Sequence, residues 1–387
     1  MTRTRMILTG AGTQLVAMCI GILLLPALCS AQAPAPTVWS QFRFSPDHRG
    51  VNSFETVLSP KTVGGLVLKW TFTASAGLYS SAAVANGVVY AGSDDFNFYA
   101  LDANTGALLW RFPTGDFVRS SGAVINGAVF VGSSDHHLYA LNSATGALLW
   151  SFTTDDEVED SPVVVNGVVY FGSADHHLYA VKAQTGTLLW RFTAGDEVEY
   201  SAPAVVNGVV YVGSKDHNLY ALDAASGAKL WSFTAGDVIQ ASPAVANGVV
   251  YIGSVDHNMY ALNAATGAKL WSFATADMVV SSAAVANGLV YFGSHDRLVY
   301  ALNAQTGAKV WSYTTNYKLE SSPAVANGVV YVGSYDRVLY AFNARSGARL
   351  WNYMTAKALL SSPAVVNGMV FEPSEDGKVY AFGLPSQ

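Results

Sequence analysis

The chain has 387 residues, of which 51% are hydrophobic and only 12% are charged, so it can bury a large core as one domain or as two smaller ones. Its 27 acidic residues outnumber its 21 basic residues, which gives a net charge of -6, and the basic residues form no cluster. Nucleic acid is therefore excluded as an expected partner.

The N-terminal segment predicts export. Arg3 and Arg5 precede a long apolar stretch, and a run of small residues follows that stretch up to Ala31, as in a signal peptide. We expect cleavage near Ala31, which makes residues 1–31 a signal peptide and the mature protein periplasmic or secreted. The alternative is an uncleaved membrane anchor, because the stretch is long enough to span a bilayer.

Both cysteines, Cys19 and Cys29, lie in this N-terminal segment. Disulfides, thiol catalysis and thiolate metal sites are therefore not expected in the mature protein. A lipid anchor on Cys29 is disfavoured because the bulky Leu28 precedes it. Cleavage would also remove two of the 21 basic residues and leave 19 against 27 acidic ones, a net charge of -8.

Residues 32–65 are predicted to be a linker and a lead-in to the folded domain. The alternating Ala and Pro residues at 33–36 favour a short extended segment. The folded domain is then predicted to cover residues 66–384.

Eight tryptophans mark an internal repeat in this domain. They are 40 residues apart, with one interval of 41: Trp70, Trp110, Trp150, Trp190, Trp231, Trp271, Trp311 and Trp351. An Asn-Gly pair recurs with the same spacing, beginning at Asn86, Asn126, Asn166, Asn207, Asn247, Asn287, Asn327 and Asn367. Repeats of this length predict structural units that pack side by side.

Each repeat predicts four short strands, as residues 322–351 illustrate. Asn327-Gly328 tolerates positive φ at both central positions of a tight type I′ hairpin between the first two strands. A Gly-Ser-x-Asp turn leads to the third strand, and a Ser-Gly turn leads to the fourth, which carries Trp351. Four antiparallel strands in about 40 residues form one propeller blade.

The two ends of the domain are predicted to complete one blade together. Residues 362–382 supply only three strands, and residues 66–72 form a fourth strand without the other three. Their pairing would remove the free edges of both terminal strands. The predicted fold is therefore all-β: an eight-bladed β-propeller of four-stranded antiparallel blades, closed by pairing of the N- and C-terminal strands. WD repeats and β-helices fit the spacing and the motifs less well.

Residues 220–231, with the sequence Tyr-Ala-Leu-Asp-Ala-Ala-Ser-Gly-Ala-Lys-Leu-Trp, resemble the tryptophan-docking motif of PQQ-type (pyrroloquinoline quinone) β-propeller repeats. Seven full copies and one partial copy cover nearly the whole mature chain. Residues 39–43 and Gly50 also resemble the lead-in before many such propellers. The resemblance implies that each indole packs against the neighbouring blade, near the glycine and alanine of the motif. The alanines are Ala100, Ala140, Ala180, Ala221, Ala261, Ala301, Ala341 and Ala381.

Two kinds of protein share this repeat: PQQ-dependent dehydrogenases, and noncatalytic relatives such as BamB, the propeller lipoprotein of the outer-membrane β-barrel assembly machinery. The dehydrogenases are typically longer, with inserted loops that build a cofactor chamber, adjacent cysteines and often a haem domain. Here every repeat has 40 or 41 residues, and no Cys-x-x-Cys-His motif occurs. The resemblance therefore implies the blade structure and no catalytic residue, and we expect no cofactor.

A binding site is expected where the repeats differ, in the connection from the last strand of one blade to the first strand of the next. One variable position is predicted to ring a mouth of the central channel: Tyr79, Arg119, Glu159, Glu199, Gln240, Val280, Glu320 and Leu360. Nearby carboxylates are Asp155, Asp156, Glu157, Asp160, Asp196 and Glu197, with Arg119 and Lys318 on either side. Such a cluster suits a cation such as calcium, or a basic peptide. We favour a solvated acidic rim over either site.

Two further residue types recur at the turn before the third strand. The histidines His136, His137, His176, His177, His217, His257 and His295 would suit a transition metal, but equivalent positions on different blades stand far apart, so we interpret them as surface turn residues. The aspartates Asp95, Asp135, Asp175, Asp216, Asp256, Asp296, Asp336 and Asp376 are predicted to accept backbone N–H bonds across the turn.

The sequence therefore predicts a noncatalytic, exported propeller that binds or scaffolds a protein or peptide in the cell envelope. Neither a nucleophile elbow nor a phosphate-binding loop occurs. We expect a monomer, with membrane association only through a partner or an uncleaved signal segment. One alternative is a PQQ-dependent alcohol or sugar dehydrogenase with calcium beside the quinone. The other is a small-ligand or metal sensor that uses the channel mouth.

Overall fold

The computed structural model describes Val38–Pro385, so the predicted signal peptide, its cleavage site and the Ala-Pro linker lie outside the described residues. Eight sheets follow one another along this part of the chain, and each is built on four antiparallel strands, which are consecutive in the chain in seven of the eight sheets. Within Val38–Pro385 no helix has the length and hydrophobicity of a membrane span. The predicted all-β, eight-bladed propeller is confirmed.

The strands are short and of nearly equal length in every blade. Before the first complete blade come β1 (Val51–Asn52), a 3₁₀ turn (Val63–Gly65) and β2 (Val67–Thr73). Blade 1 contains β3 (Ala83–Ala85), β4 (Val88–Gly92), β5 (Asn97–Asp102) and β6 (Leu108–Pro113). Blade 2 contains β7 (Ala123–Ile125), β8 (Ala128–Ser133), β9 (His137–Asn142) and β10 (Leu148–Thr153). Blade 3 contains β11 (Val163–Val165), β12 (Val168–Gly172), β13 (His177–Lys182) and β14 (Leu188–Thr193). Blade 4 contains β15 (Ala204–Val206), β16 (Val209–Gly213), β17 (Asn218–Asp223) and β18 (Lys229–Thr234).

The remaining blades repeat this pattern. Blade 5 contains β19 (Ala244–Ala246), β20 (Val249–Gly253), β21 (Asn258–Asn263) and β22 (Lys269–Ala274). Blade 6 contains β23 (Ala284–Ala286), β24 (Leu289–Gly293), β25 (Leu298–Asn303) and β26 (Lys309–Thr314). Blade 7 contains β27 (Ala324–Ala326), β28 (Val329–Gly333), β29 (Val338–Asn343) and β30 (Arg349–Met354). Blade 8 contains β31 (Ala364–Val366), β32 (Met369–Pro373) and β33 (Lys378–Gly383), to which β2 adds the fourth strand.

The Asn-Gly pairs form the tight hairpins that the sequence predicts. Asn327 and Gly328 have φ values of 42° and 80°, and the strands on either side pair Ala326 with Val329. The asparagine has positive φ in all eight hairpins. A type I′ turn needs positive φ at both central positions, which is why this pair recurs.

Each tryptophan joins its own blade to the next one. The indole Nε1 of Trp231 donates a hydrogen bond to the carbonyl oxygen of Ala264 in blade 5, at 3.1 Å. The ring lies against Gly267, where an added Cβ would be 2.6 Å from the indole. Ala221, in contrast, lies opposite Trp231 within the same blade. The contact on the neighbouring blade is therefore with the glycine of the motif.

Blade 8 closes the ring with strands from both ends of the domain. The strand β2 pairs antiparallel with β33, from Val67 opposite Gly383 to Thr73 opposite Lys378. On the inner side of the ring, the Ser362 N–H donates to Oγ of Ser81 at 2.8 Å. This pairing confirms the predicted closure.

Residues 39–52 run around the central channel and contact the innermost strand of every blade. Trp39 bridges to Val84 of blade 1, and β1 pairs in parallel with β27 of blade 7. Between these points the middle N–H of each inner strand donates to this channel segment: Val124 to Ser40, Val164 to Gln41, Val205 to Pro46, Val245 to Asp47, Val285 to Arg49 and Val325 to Gly50. Asn52 donates to the Val365 carbonyl of blade 8. The segment thus pairs backbone groups that would otherwise face the channel.

Two buried basic side chains anchor the channel segment. Arg43 is 1% exposed and donates to the carbonyl oxygens of Pro323 and Ala283, each at 2.6 Å. Burial lowers the pKa of Arg43 to about 9. Burial, together with the Arg43 charge, lowers the pKa of His48 to about 3, so this histidine is neutral.

Candidate binding site at the channel mouth

The connections between blades surround a cup at one mouth of the channel. Its volume is about 510 Å³, and Phe42 of the channel segment lines it together with residues of all eight blades. Seven of the predicted mouth residues line this mouth cup: Tyr79, Arg119, Glu159, Gln240, Val280, Glu320 and Leu360.

Glu199 is the exception, because Tyr200 takes its place in the lining. Glu199 is only 5% exposed, whereas Tyr200 is 47% exposed and has a φ of 65°. This blade has the single 41-residue spacing, and the extra residue forms a local bulge. The repeat alignment alone did not show which of the two residues faces the cup.

A ring of serines lies inside the mouth. The N–H of six of its seven members donates to Oγ of the serine in the next blade, and the bond from Ser362 to Ser81 joins the last blade to the first. The members are Ser81, Ser121, Ser161, Ser242, Ser282, Ser322 and Ser362. Blade 4 has Ala202 at this position, so the N–H of Ser161 donates instead to Oδ1 of Asp160. The ring is interrupted beside the acidic part of the cup.

Glu159 is the central residue of the acidic wall between blades 3 and 4. Its side chain is 2% exposed, and Oε1 accepts hydrogen bonds from Ser134 at 2.8 Å and from Arg119 at 3.2 Å. Arg119 also binds Asp94 at 3.0 Å, so its charge is shared between two carboxylates. The buried Oε2 of Glu159 has no hydrogen-bond partner among the described residues.

The neighbouring carboxylates carry perturbed pKa values. Burial raises the pKa of Glu199 to about 6, although Lys215 lies 2.5 Å from its Oε2 and opposes the shift. Burial also raises the pKa of Asp160 well above its usual value. Asp160 is 2% exposed, so it is not part of a solvated rim as the sequence suggested. Burial and the Glu159 and Glu199 charges raise the pKa of the Tyr200 hydroxyl.

The opposite wall of the cup is better paired. Glu320 accepts hydrogen bonds from Lys318 at 2.7 Å and from Tyr335 at 2.8 Å, and His295 Nε2 lies 3.1 Å from the same carboxylate. Burial alone would raise the pKa of Glu320, but these three partners lower it to about 2. The unbalanced negative charge of the cup therefore lies on the wall of blades 3 and 4.

The sequence analysis missed a second ring of mouth residues. They occupy the variable position of the Ser-x-Asp turn: Asp94, Ser134, Ala174, Lys215, Val255, His295, Tyr335 and Glu375. Five of them contact the predicted ring, in the pairs Asp94–Arg119, Ser134–Glu159, Lys215–Glu199, His295–Glu320 and Tyr335–Glu320. Variation inside an otherwise constant turn was the signal that could have identified them.

The turn aspartates that recur in every repeat join each turn to the connection before it. Asp376 accepts the N–H of Lys378 in its own turn, the N–H of Ala356 in the preceding connection and the hydroxyl of Tyr380. The contacts to the preceding connection and to the tyrosine recur in all eight blades.

The histidines lie at the turns of five different blades, where His136 shares a turn with His137 and His176 shares one with His177. His136, His176, His217 and His257 have positive φ at the turn apex. In the described part of the chain, one group of three potential metal-ligating side chains is close enough to share an ion, and it consists of Glu157, Glu159 and Glu199, whose oxygens lie within 4.8 Å of one another. The histidines are not part of it.

The remaining acidic residues lie outside the cup. Asp156 and Asp196 are about half exposed and lie 3.9 Å from His136 and His176. Asp155 is exposed. These side chains form the solvated part of the acidic cluster.

The mouth cup does not fit pyrroloquinoline quinone, which carries three carboxylates. The basic residues of the lining are Arg119 and His295. Arg119 is paired with two carboxylates, and His295 with one. A trianion in the cup would therefore lie near the carboxylates of Glu159 and Glu320, and no unpaired cationic side chain of the lining would offset the repulsion.

The fold and the mouth cup define a class: a closed β-propeller with a ligand-sized cavity at the channel mouth. A family described as outer membrane protein assembly factor BamB matches residues 55–190, and one described as beta-alanine-activating enzyme, beta-propeller, matches residues 201–387. Together with the structural neighbours, these matches support a β-propeller of PQQ-like repeats. No curated protein matches the sequence significantly.

Solved structures of both functional kinds resemble the chain. BamB from Moraxella catarrhalis has a TM-score of 0.73 at 19% identity, covering 82% of this chain and 99% of BamB. The quinohemoprotein alcohol dehydrogenases of Comamonas testosteroni and of Pseudomonas putida HK5 have TM-scores of 0.80 and 0.79 at 16% and 17% identity. The structural matches cover 92% and 91% of this chain, and 82% and 81% of the respective dehydrogenase chains. At these identities the likeness shows the fold alone.

Proposed function

We propose that the protein is a noncatalytic binding propeller of the cell envelope, and that its mouth cup binds a positively charged group of a protein or peptide partner. The observation that carries this proposal is the unpartnered, buried Oε2 of Glu159 in the acidic wall. A buried carboxylate oxygen without a partner costs free energy, and an incoming ammonium or guanidinium group would supply the missing hydrogen bond.

The surroundings of Glu159 support the same chemistry. Glu199 adds a second carboxylate, and Tyr79 and Tyr200 place aromatic rings in the lining. Aromatic faces and carboxylates together attract organic cations. Phe42 at the inner side of the cup limits the depth to which a side chain can enter.

The envelope location rests on different support. Residues 1–31 have the pattern of a signal peptide, and the first half of the domain matches the BamB family. The proposal of a protein or peptide partner follows from that match and from the short, uniform connections, which build an open cup in place of a closed chamber.

Calorimetric titration with a blocked trilysine peptide tests the mouth cup directly. We expect saturable binding to the mature protein, and about tenfold weaker binding to Glu159→Gln, which removes one charge and keeps the side-chain shape. Glu320→Gln is the matched control, because it removes the same charge from the well-paired wall. Equal losses in both variants would mean a general charge effect, and no binding to the unmodified protein would contradict the site.

A second titration distinguishes this function from the enzyme. The mature protein is titrated with pyrroloquinoline quinone in the presence of calcium, and alcohol oxidation is followed with an electron-accepting dye. We expect neither binding nor turnover. Stoichiometric binding with turnover would replace the proposed function with a dehydrogenase.

A further inference from the structure

A second cavity lies between blades 4 and 5, at the end of the blades that carries the Asn-Gly hairpins. Its volume is about 590 Å³. The lining is largely apolar and includes Val206, Val209, Leu230 and Trp231, with Asp47 and Arg49 of the channel segment at one side. We call this cavity the 4/5 groove.

The chain itself fills the corresponding groove between blades 7 and 8. Leu58 is fully buried there, in one cluster with Ala326, Val329 and Tyr331. These three residues stand at the positions that Val206, Val209 and Tyr211 occupy in blade 4. The structure therefore contains an example of how such a groove is occupied.

Glu55 fixes this internal segment by two sets of hydrogen bonds. Its Oε2 accepts the N–H of Gly368, in the hairpin of blade 8, at 2.9 Å. Its Oε1 accepts the N–H groups of Val57 and Leu58, which bends the segment so that Leu58 enters the groove. An acidic residue followed by leucine three positions later is thus the recognised pattern.

The 4/5 groove presents the same groups without an occupant from the described residues. Leu230 is 54% exposed, and Val209 is partly exposed where Val329 is fully buried. Gly248, the counterpart of Gly368, is exposed, and no carboxylate from the described chain accepts its N–H. Asp47 and Arg49 both line the groove and form an ion pair with each other, so the Gly248 N–H is the donor that the groove offers to an acidic group.

We propose that the 4/5 groove binds a short segment of a partner protein in which an acidic residue precedes a leucine by three positions. The leucine fills the apolar cavity as Leu58 does, and the carboxylate accepts the Gly248 N–H as Glu55 accepts that of Gly368. Another cavity on this face, which extends from blade 5 to blade 7, is lined by Asn52, Ser53, Glu55 and hairpin asparagines, and it offers less apolar surface for a leucine. This site is independent of the mouth cup.

The chain supplies its own probe, the peptide of residues 53–60, Ser-Phe-Glu-Thr-Val-Leu-Ser-Pro. Fluorescence polarisation of the labelled peptide against the mature protein is expected to show saturable, submillimolar binding, and about tenfold weaker binding when its leucine is replaced by aspartate. The groove variant is Leu230→Asp, and its matched control is Leu270→Asp, at the equivalent position of blade 5, where the side chain is 52% exposed.

Both variants are expected to fold, because both side chains are about half exposed. Their peptide affinities can therefore be compared directly. A loss of about tenfold or more in Leu230→Asp, with Leu270→Asp unchanged, supports the 4/5 groove. Equal binding by the unmodified protein and Leu230→Asp would overturn it, and so would the absence of binding at millimolar peptide. Trilysine binding at the mouth cup is expected to be unchanged in Leu230→Asp, so failure of the groove and failure of the cup are distinguishable.

Discussion

At the scale of single residues, carboxylates have two distinct tasks in this propeller. The turn aspartates accept several hydrogen bonds each and join a turn to the connection before it. The mouth glutamates lie where backbone donors are few, and their partners are other side chains. Because the turn arrangement is repeated in every blade and the mouth arrangement is not, repetition separates the structural carboxylates from those of the proposed binding site.

The structural task predicts a loss of stability in Asp376→Ala. This substitution removes three acceptor contacts, which is expected to lower the free energy of unfolding by about 2–3 kcal/mol. Thermal denaturation measures the change. Asp155→Ala, which removes an exposed carboxylate, is the control and is expected to stay within about 0.5 kcal/mol of the unmodified protein. Unaltered melting of Asp376→Ala would reject the structural role.

The binding task predicts a pH dependence centred on Glu199. The pKa of about 6 in the folded protein lies above the usual glutamate pKa of 4.5, so folding favours the protonated form of Glu199. Glu199 therefore contributes to the free energy of unfolding at pH values below its pKa in the unfolded chain. This contribution is lost as the pH rises through its pKa in the folded protein. The affinity for a cation changes with pH in the opposite direction. It is expected to increase from pH 5 to pH 7, because the Glu199 carboxylate ionises in this range. Calorimetric titrations of trilysine across this range measure the slope, and Glu199→Gln is expected to flatten it. An unchanged slope in this variant would assign the pH dependence to another group.

At the scale of the strand and its turn, the repeated motif contains the information that builds a blade. Asn-Gly fixes each hairpin, and the glycine of the docking motif leaves room for the indole of the preceding blade. Both features could be predicted because they recur: the Asn-Gly pair occurs eight times, and the docking glycine occurs in the seven full copies of the motif that resembles PQQ-type repeats. The path of residues 39–52 could not, since this segment occurs once and is held mainly by backbone groups, which leave no residue pattern. Tyr200 was missed for a related reason: a single inserted residue does not reveal which neighbour bulges.

The docking glycine gives a prediction that separates backbone strain from steric overlap. Gly267→Ala introduces both, because φ is 72° and the new Cβ would lie 2.6 Å from the Trp231 ring. Gly288→Ala introduces the strain alone, since φ is 76° and nothing lies within 4 Å of the new Cβ. We expect losses of about 1 kcal/mol for Gly288→Ala and at least about 3 kcal/mol for Gly267→Ala, measured by chemical denaturation. Equal losses would show that the indole can move aside without cost.

At the scale of the whole molecule, two parts of the N-terminal region hold the ring in different ways. The strand β2 pairs with β33 and closes the circle, whereas the channel segment contacts every blade from the inside. The inner strands keep their own sheet partners without the channel segment, and water can enter to solvate the freed N–H groups. Closure through β2 has no such substitute, because both the edge of β33 and the docking glycine Gly106 would lose their partners.

Two truncations of the mature protein measure these contributions separately. A chain that begins at Ser53 lacks the channel segment and keeps β2, so we expect a folded ring whose melting temperature is lower by about 5–10 °C. A chain that begins at Ala74 lacks β2 as well and is expected to lose cooperative unfolding, because blade 8 is left with three strands and an open edge. Circular dichroism melting follows both. If both chains lose cooperative unfolding, the channel segment holds the ring together; if both unfold cooperatively at nearly the same temperature, closure through β2 is dispensable, and the stability of the propeller resides in the contacts between successive blades.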